Sequence, residues 1–570
     1  MEKLRVLLWG GFIMSLYLVY SQWTADYAVA KKTPTNNPAS ATMPGSAQPL
    51  QDDPSSANTL LLSDSKPELY SLGQNETNKS MQAPTNLVTL SNDVLEVKIN
   101  PNRGADIVNA VLLGYFLSND DTENKVRLLS LSEDAYHYFQ TGLLSTENNG
   151  SPEPNHQQPF LYIRTNRAND GSKSAIFRWE SSNIAVNKTY TLTPGSFEVK
   201  LAYEIINKGY SVYPYVQYSQ IIKKDAKVER SIVDVETYSF DGGIIFNGES
   251  YEKLHPEDLV EKPVMASHLN GWLANIKHHF VVAAIPEAEE SFSYQATYDE
   301  GKSLEKISAV GETTKTVFPG GTQKEEMSFY IGPKLQSKLK ELRPGLERSV
   351  DYGALSFLSK PLFWLLEKIH SFVGNWGLSI ILVTFCIKLV FYRLAESSGK
   401  SMARMRLLAP RIKAIQERFK DDKQAAGQAT MELYKKEKVN PLAGCWPMLV
   451  QVPFFIAFYW VLLESVEIRQ APFFLWIQDL SSRDPYFILP ILMVAGIFFQ
   501  QKLNPPPPDP MQAKVMSFLP VMFTGMFAFF PSGLVLYWLT NSLLSIAQQW
   551  RLNKKFGTKV PMGVETSGGE

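Results

Sequence analysis

Five apolar segments crowd into the last 200 residues of this 570-residue chain, at about 374–394, 443–463, 486–501, 514–530 and 533–550. As helices, segments near 20 residues cross a hydrocarbon core of about 30 Å at 1.5 Å per residue. The buried core helix of a soluble protein accounts for one such segment, but not for five in succession with Trp and Tyr near their ends. Several are nearer 16–18 residues, which predicts a thinned bilayer around them. A sixth, residues 4–23, follows Lys3 and Arg5 at the N-terminus. Ala28-Val29-Ala30 has the form of a signal-peptidase site but lies about ten residues past the apolar core, so an uncleaved anchor is expected.

Charge sets the orientation. The net charge of −1 hides a cancellation: residues 351–570 hold 23 Lys and Arg against 15 Asp and Glu, and residues 1–350 hold 33 against 42. Twelve of the cations lie in 393–440, between the second and third of the six segments, whereas 466–485 carries only Arg469 and Arg483. The tail adds Arg551, Lys554, Lys555 and Lys559. Positive charge stays on the cytoplasmic side, so both termini and 393–440 are expected inside and 24–360 outside. The two cysteines, Cys386 and Cys445, sit in apolar stretches and imply no disulfide framework.

The external half divides in two. Residues 31–85 are rich in Pro, Ser, Thr, Asn, Gln and Ala, too apolar-poor to offset chain entropy, and read as a flexible tether. From about Leu87 a period of two takes over. Leu95, Val97 and Ile99 alternate with polar residues, as do Phe197, Val199, Leu201, Tyr203 and Ile205 before a turn at Asn207-Lys208-Gly209. Repeated over about 240 residues, with no helical stretch before the 330s, these half-buried strands predict a large antiparallel β-sandwich. His278-His279 is its only histidine pair; adjacent strand residues point to opposite faces, so the two cannot chelate one metal. No H-x-x-x-H, CxxC or GxSxG pattern occurs, and the domain reads as a binding or scaffolding module.

Two amphipathic features follow. In 354–369 apolar residues recur at helical spacing with Ser356, Ser359, Lys360, Glu367 and Lys368 as the polar positions, predicting a helix in the headgroup plane. Met405, Leu408, Ile412, Ile415 and Phe419 step by 3 and 4, and Ala426, Ala429 and Leu433 continue after a turn at 420–423. That predicts an antiparallel coiled-coil hairpin, with Pro410 kinking its first arm or setting its start, and a new helix beginning at Asn440-Pro441. Its twelve cations suit acidic lipid, ribosomal RNA or an acidic partner, and sequence does not choose among them.

Lys388 lies near the middle of the second span, where a cation costs roughly 2.5–3.5 kcal/mol on insertion scales. Thr384 shares its helical face four residues earlier. Gln451, Gln500 and the Thr540-Asn541-Ser542 cluster add polar groups, and Gly444, Pro447, Pro453, Pro490, Pro520 and Gly533 break helices beside them. Two readings are open: a polar cavity among the helices, or snorkelling by Lys388 with interhelical packing by the amides. No Asp or Glu lies deep in a span and no inverted repeat is evident, which argues against an ion-coupled pump.

The residues VDYGALSFLSKPLF and HSFVGNWGLSIILVTF at the second span resemble the YidC/Oxa/Alb insertase family, proteobacterial type. So do DDKQ, KVNPLAGCWPMLVQVPFFIAFY, SVEIRQAPFFLWIQDLS, DPYFILPILM and FPSGLVLYWLTNSLLSIAQQ. The resemblance covers nearly the whole chain and implies a multi-domain membrane protein with six transmembrane α-helices, a five-helix insertase core plus an N-terminal anchor. The expected units are the anchor 1–24, linker 25–85, periplasmic all-β supersandwich 86–345, interfacial helix 346–373, core 374–550 with the cytoplasmic hairpin 399–439, and basic tail 551–570. It implies insertion of nascent membrane proteins into the bacterial inner membrane, alone or with the Sec translocon, and contacts with the ribosome and membrane lipids. A monomer or weak self-association, no enzymatic step and no cofactor are expected. The implied mechanism places one cation in a groove open to cytoplasm and lipid. That cation maps to Lys388, with Thr384, Gln451, Trp538 and Tyr537 lining the groove. Relatives usually carry Arg where Lys388 stands, Pro where Arg393 stands and often Tyr where Trp538 stands, so Lys388 and Arg393 could share the role. A channel or transporter with a ligand-capturing β domain is the alternative, and an anchored carbohydrate enzyme a third.

Overall fold

The computed structural model describes residues 86–556 apart from 120, 133–134, 147–152, 225–238, 421, 438, 440–445, 503–517, 519–524 and 526. The N-terminal anchor, the tether, the Asn440-Pro441 break, most of the 514–530 span and the tail beyond 556 lie outside the described residues.

Alternating side chains build the external half into two antiparallel sheets. One runs through Val88–Ser91, Leu95–Asn100, Asp106–Ser118, Asp121–Leu131, Tyr136–Ser145, Tyr213–Lys224, Leu304–Gly311, Ser291–Asp299 and Val264–Leu269, with Lys315–Val317 added beside Tyr213–Lys224. The other runs through Tyr251–Leu254, Asp241–Phe246, Trp272–Lys277, Phe280–Ile285, Thr322–Pro333, Glu198–Asn207, Ile184–Leu192, Lys173–Glu180 and Leu161–Arg167. Val199, Leu201, Tyr203 and Ile205 are buried against Leu95, Val97 and Ile99 in one continuous core, as the period of two requires. Within it the fully buried Lys188 donates to the carbonyls of Gly104 (2.6 Å) and Thr141 (3.0 Å) and to Thr141 Oγ1 (2.8 Å), 3.8 Å from Asp106. Every hydrogen of that ammonium is thereby placed, which is what permits its burial. One short helix, α1 (Pro256–Glu261), interrupts the strands, where none was expected before the 330s; Pro256 fills its first turn and Leu259 its buried position.

The helical half begins with α2 (Gln336–Leu342) and α3 (Ser356–Val373). Leu362, Phe363 and Leu366 turn inward on α3, while Phe357 and Trp364 are exposed. Ser359, expected on the polar face, is instead buried, donating to the Ala457 carbonyl at 3.0 Å. A small hydroxyl that finds a main-chain acceptor fits a helix–helix contact better than a headgroup surface. Gly374 ends α3 at φ 70, and Asn375 caps α4 (Trp376–Val390) by accepting from Leu378 N at 3.0 Å.

Phe391 separates α4 from α5 (Tyr392–Arg418), and the chain bends there by 60°. Pro410 lies inside α5 and does not set its start. The chain returns through α6 (Lys423–Lys436), so that Leu408 and Ile412 pack with Leu433, Tyr434 and Val439. Then come α7 (Trp446–Glu464), α8 (Ile488–Lys502) and α9 (Ser532–Phe556). Among the described residues no single helix is long and apolar enough to cross a membrane. The bent pair of α4 with Tyr392–Ser401 meets that test jointly, and Val450–Glu464 and Ile488–Gln501 are shorter apolar helices.

The β domain grips the end of α7. His278 and His279 occupy the turn between two strands rather than a strand, His278 at φ 39, so their rings stack on one side at 3.7 Å instead of pointing apart. Both Nε2 atoms meet the Leu463 carbonyl, at 3.1 and 2.9 Å, satisfying an acceptor that the helix end leaves over. Glu464 accepts from Ser239 Oγ (2.9 Å) and from Lys334 Nζ (3.2 Å), and Arg469 and Gln470 donate to the Phe116 carbonyl.

Candidate functional site

α4 carries a single charged residue among mostly apolar ones. Ile380, Val383 and Ile387 are buried, Leu382, Phe385, Leu389 and Val390 are exposed, and Lys388 lies between those two faces. Its ammonium turns into the bundle. Lys388 Nζ donates to Ser545 Oγ on α9 at 2.8 Å and approaches Gln451 Oε1 on α7 at 3.5 Å, the long end of hydrogen bonding.

The acceptors are themselves held. Gln451 Nε2 donates to Asn541 Oδ1 at 2.6 Å, so the amide presents its oxygen to the cation; the reverse orientation would set an NH2 group against the ammonium. The Ser545 hydroxyl donates to the Asn541 carbonyl at 2.7 Å, which leaves its lone pairs for Lys388. Three helices thus meet on one charge, and Pro453 in α7 withdraws a main-chain donor two residues from Gln451.

An aromatic wall adjoins the network. Tyr537 is buried against Phe455 and Phe458, with its hydroxyl interacting with Gln451. Trp538 is half-buried, edge-on to Phe455 at 4.6 Å and 5.0 Å from Phe527. Of the expected site residues, Lys388, Gln451, Tyr537 and Trp538 therefore come together. Thr384 is buried with its hydroxyl spent on the Ile380 carbonyl at 2.6 Å. Arg393 is exposed on α5, beyond the 60° bend.

Ser545 was not singled out by sequence, although Trp538, Asn541 and Ser545 sit at i, i+3 and i+7 on one face of α9. A lone serine in LLSIAQQ carries no signal until its partner across the bundle is known. Elsewhere, Glu287, Glu290 and Glu325 bring carboxylate oxygens within 4.8 Å of one another, and the Lys315 ammonium pairs with two of them, Glu290 (2.5 Å) and Glu325.

An ammonium held in an apolar bundle attracts a carboxylate more strongly than it would in water, because the field is less screened. It has three N–H donors, and among the described residues Ser545 and Gln451 take two. Such an ammonium can receive one acidic group.

Comparison with known proteins gives concordant matches. Residues 87–365 match the family described as YidC periplasmic domain, and residues 368–559 the one described as 60Kd inner membrane protein. The chain is 40% identical over 573 residues to the membrane protein insertase YidC of Thioalkalivibrio sulfidiphilus, covering 97% of this chain and 98% of that one. It is likewise 40% identical over 562 residues to that of Pseudomonas fluorescens strain Pf0-1, with the same coverage. A solved structure of an active YidC insertase with its first transmembrane domain resolved aligns over 81% of this chain and 92% of its own, at 17% identity and a TM-score of 0.37. The sequence relatives, not that alignment, carry the weight.

Proposed function

The chain belongs to the family of YidC membrane protein insertases, bacterial inner-membrane proteins with a periplasmic domain, and from that membership we propose that Lys388 is the cation that receives the acidic segment of a substrate. The observation that carries this reading is the ammonium drawn into the bundle by Ser545 and Gln451 with one donor uncommitted among the described residues. Snorkelling predicts the opposite, a side chain stretched along α4 towards Arg393 and water.

The physical course follows from the charges. A hydrophilic, acidic stretch of substrate enters from the cytoplasmic side and pairs with Lys388, which lowers the cost of bringing its carboxylate into low dielectric. The substrate's apolar helix meets the exposed Leu382, Phe385 and Leu389 on α4 and leaves sideways into lipid. Tyr537 and Trp538 wall the groove, and Thr384 packs α4 behind the cation. The scheme uses no cofactor and no covalent step.

The finer organisation is part of the same proposal. Six transmembrane helices place both termini in the cytoplasm and the β domain in the periplasm, in line with the cations of 393–440 and of the tail. The hairpin of α5 and α6 is a cytoplasmic coiled coil that receives substrate; Arg411, Lys413, Arg418, Lys420, Lys435 and Lys436 are exposed on it and suit an anionic partner. The tail would touch the ribosome, and the Sec translocon would share some substrates.

Complementation of cells depleted of their own insertase, scored by protease protection of a small acidic-tailed substrate, tests the reading. Lys388→Arg is expected to insert near the wild-type level and Lys388→Ala to lose most activity. Lys388→Glu should lose at least about tenfold, since juxtaposed like charges cost several kcal/mol. Wild-type insertion by Lys388→Glu contradicts the charge mechanism.

A further inference from the structure

Lysine and arginine do not stand alone equally well. An Arg fork is planar and presents its donors in a fixed geometry, whereas a Lys ammonium rotates freely on a flexible four-carbon stem. A Lys that must meet a carboxylate at a fixed place therefore needs its direction supplied from outside. We propose that Asn541 and Ser545 are positioning residues for the substrate-receiving ammonium of Lys388, acting with Gln451 to aim it at a single substrate carboxylate. The proposal rests on the reading of Lys388 as the groove cation.

Asn541 stands at the centre of this network and touches the cation nowhere. Its side-chain oxygen fixes the Gln451 amide at 2.6 Å with the amide oxygen towards Lys388, and its main-chain oxygen fixes the Ser545 hydroxyl at 2.7 Å with the lone pairs towards Lys388. The Asn541 side chain thus sets the polarity of Gln451, while the Ser545 hydroxyl is set by the helix carbonyl at the same position. The hydroxyl at 2.8 Å is the closer hold and the amide at 3.5 Å the looser one, so the ammonium is tethered chiefly to α9. With two N–H groups directed to these acceptors, the third has no partner among the described residues and is left for a one-point contact with a carboxylate.

The test uses the full-length protein in vesicles of phosphatidylethanolamine and phosphatidylglycerol. It compares protease-protected insertion of a small substrate bearing one Asp in its translocated tail with that of the same substrate carrying Asn there. The ratio of the two measures reading of the carboxylate. Ser545→Ala should lower that ratio by at least about tenfold, the usual consequence of losing one hydrogen bond to a charged group, and Asn541→Leu by a smaller factor, because it frees only the Gln451 amide. Ser545→Thr, which keeps the hydroxyl, should retain it. Lys388→Arg combined with Ser545→Ala should lose less than Ser545→Ala alone, because the fork orients itself.

A purely structural role predicts equal losses for both substrates and an unchanged ratio, and that result overturns the proposal. An unchanged ratio in both variants, with Lys388→Ala abolishing it, also overturns the positioning role while leaving Lys388 as the cation. If Lys388→Ala itself leaves the ratio unchanged, the reading of the cation fails and the positioning role with it. Should Asn541→Leu not accumulate in membranes, Ser545→Ala, which removes one oxygen atom, decides the matter.

Discussion

Lys334 and Glu464 carry opposite charges, both buried, where the β domain meets the end of α7. Their attraction does not make the junction strong, because each ion lost its water on the way in. Removing one of them is another matter, since the partner is then left as a buried, uncompensated charge. Lys334→Met alone or Glu464→Leu alone should therefore destabilise the protein by about 3–5 kcal/mol, while the double replacement should recover most of that loss. Unfolding midpoints of the four proteins in detergent check this, and strict additivity of the two single losses would contradict it. The residue scale is also where sequence reading is weakest. Ser359 belongs to the polar face of an amphipathic pattern, and only the Ala457 carbonyl on another helix reveals that it points inward. Ser545 and the stacked His278 and His279 became meaningful in the same way, through partners more than 150 residues away.

Single elements were far more legible, because their signals are local. The strand Glu198–Asn207 buries Val199, Leu201, Tyr203 and Ile205, the residues its alternation singled out. The helices α4, α7 and α8 match the apolar segments, α7 and α8 overrunning them by one residue each, and the hairpin pair Leu408 and Ile412 lies on the seam read from spacing. What local signals missed is α1 among the strands; Pro410, expected to kink the first arm of the hairpin or set its start, lies inside α5. The start of α4 offers a test at this scale. Asn375 caps it and also donates to the Phe473 carbonyl at 3.1 Å, while a Cβ on Gly377 would come within 2.0 Å of the Phe473 ring. Asn375→Ala should cost about 1 kcal/mol as a lost cap. Gly377→Val should cost more, roughly 1–3 kcal/mol, through overpacking against an aromatic ring held by the adjoining loop. Both are read as shifts in unfolding midpoint, and a neutral Gly377→Val would mean that Phe473 is free to move.

At the scale of the molecule the acidic external half and the basic helical half have different solvents, and pH reaches the first directly. Burial, with the neighbouring His278 and Lys334, holds His279 well below the ordinary histidine range, and burial beside Lys223 pushes His137 down to about 3. Both stay neutral in the native state, whereas in the unfolded chain they take up protons near 6.5. Below that pH the unfolded state binds more protons, so their contribution is present above 6.5 and is lost as pH falls. Asp106 acts in the opposite sense: burial raises it from 3.8 to about 6, so between those values the native state holds the extra proton. Glu467, which burial raises from 4.5 to about 7, also holds its proton in the native state, so the two carboxyls offset the two histidines. The wild-type midpoint should therefore change little between pH 6 and 4.5, whereas Glu467→Gln should lose stability on acidification there with a slope near one proton, about 1.4 kcal/mol per pH unit. Urea midpoints of the full-length wild type and of Glu467→Gln between pH 6 and 4.5 test this, and parallel profiles for the two contradict it. At this same scale, the β domain holds the C-terminal end of α7, while Lys388 meets Gln451 near the other end of that helix.

The central claim is that one positive charge in the helical bundle reads one negative charge in the substrate. Reciprocal charge reversal tests it most directly, with insertion of an Asp-tailed substrate and its Lys-tailed counterpart measured by protease protection in cells relying on either wild-type protein or Lys388→Glu. Wild type should insert the Asp-tailed substrate and reject the other, and Lys388→Glu should reverse that preference. If Lys388→Glu keeps the wild-type preference, the charge at Lys388 does not select the substrate.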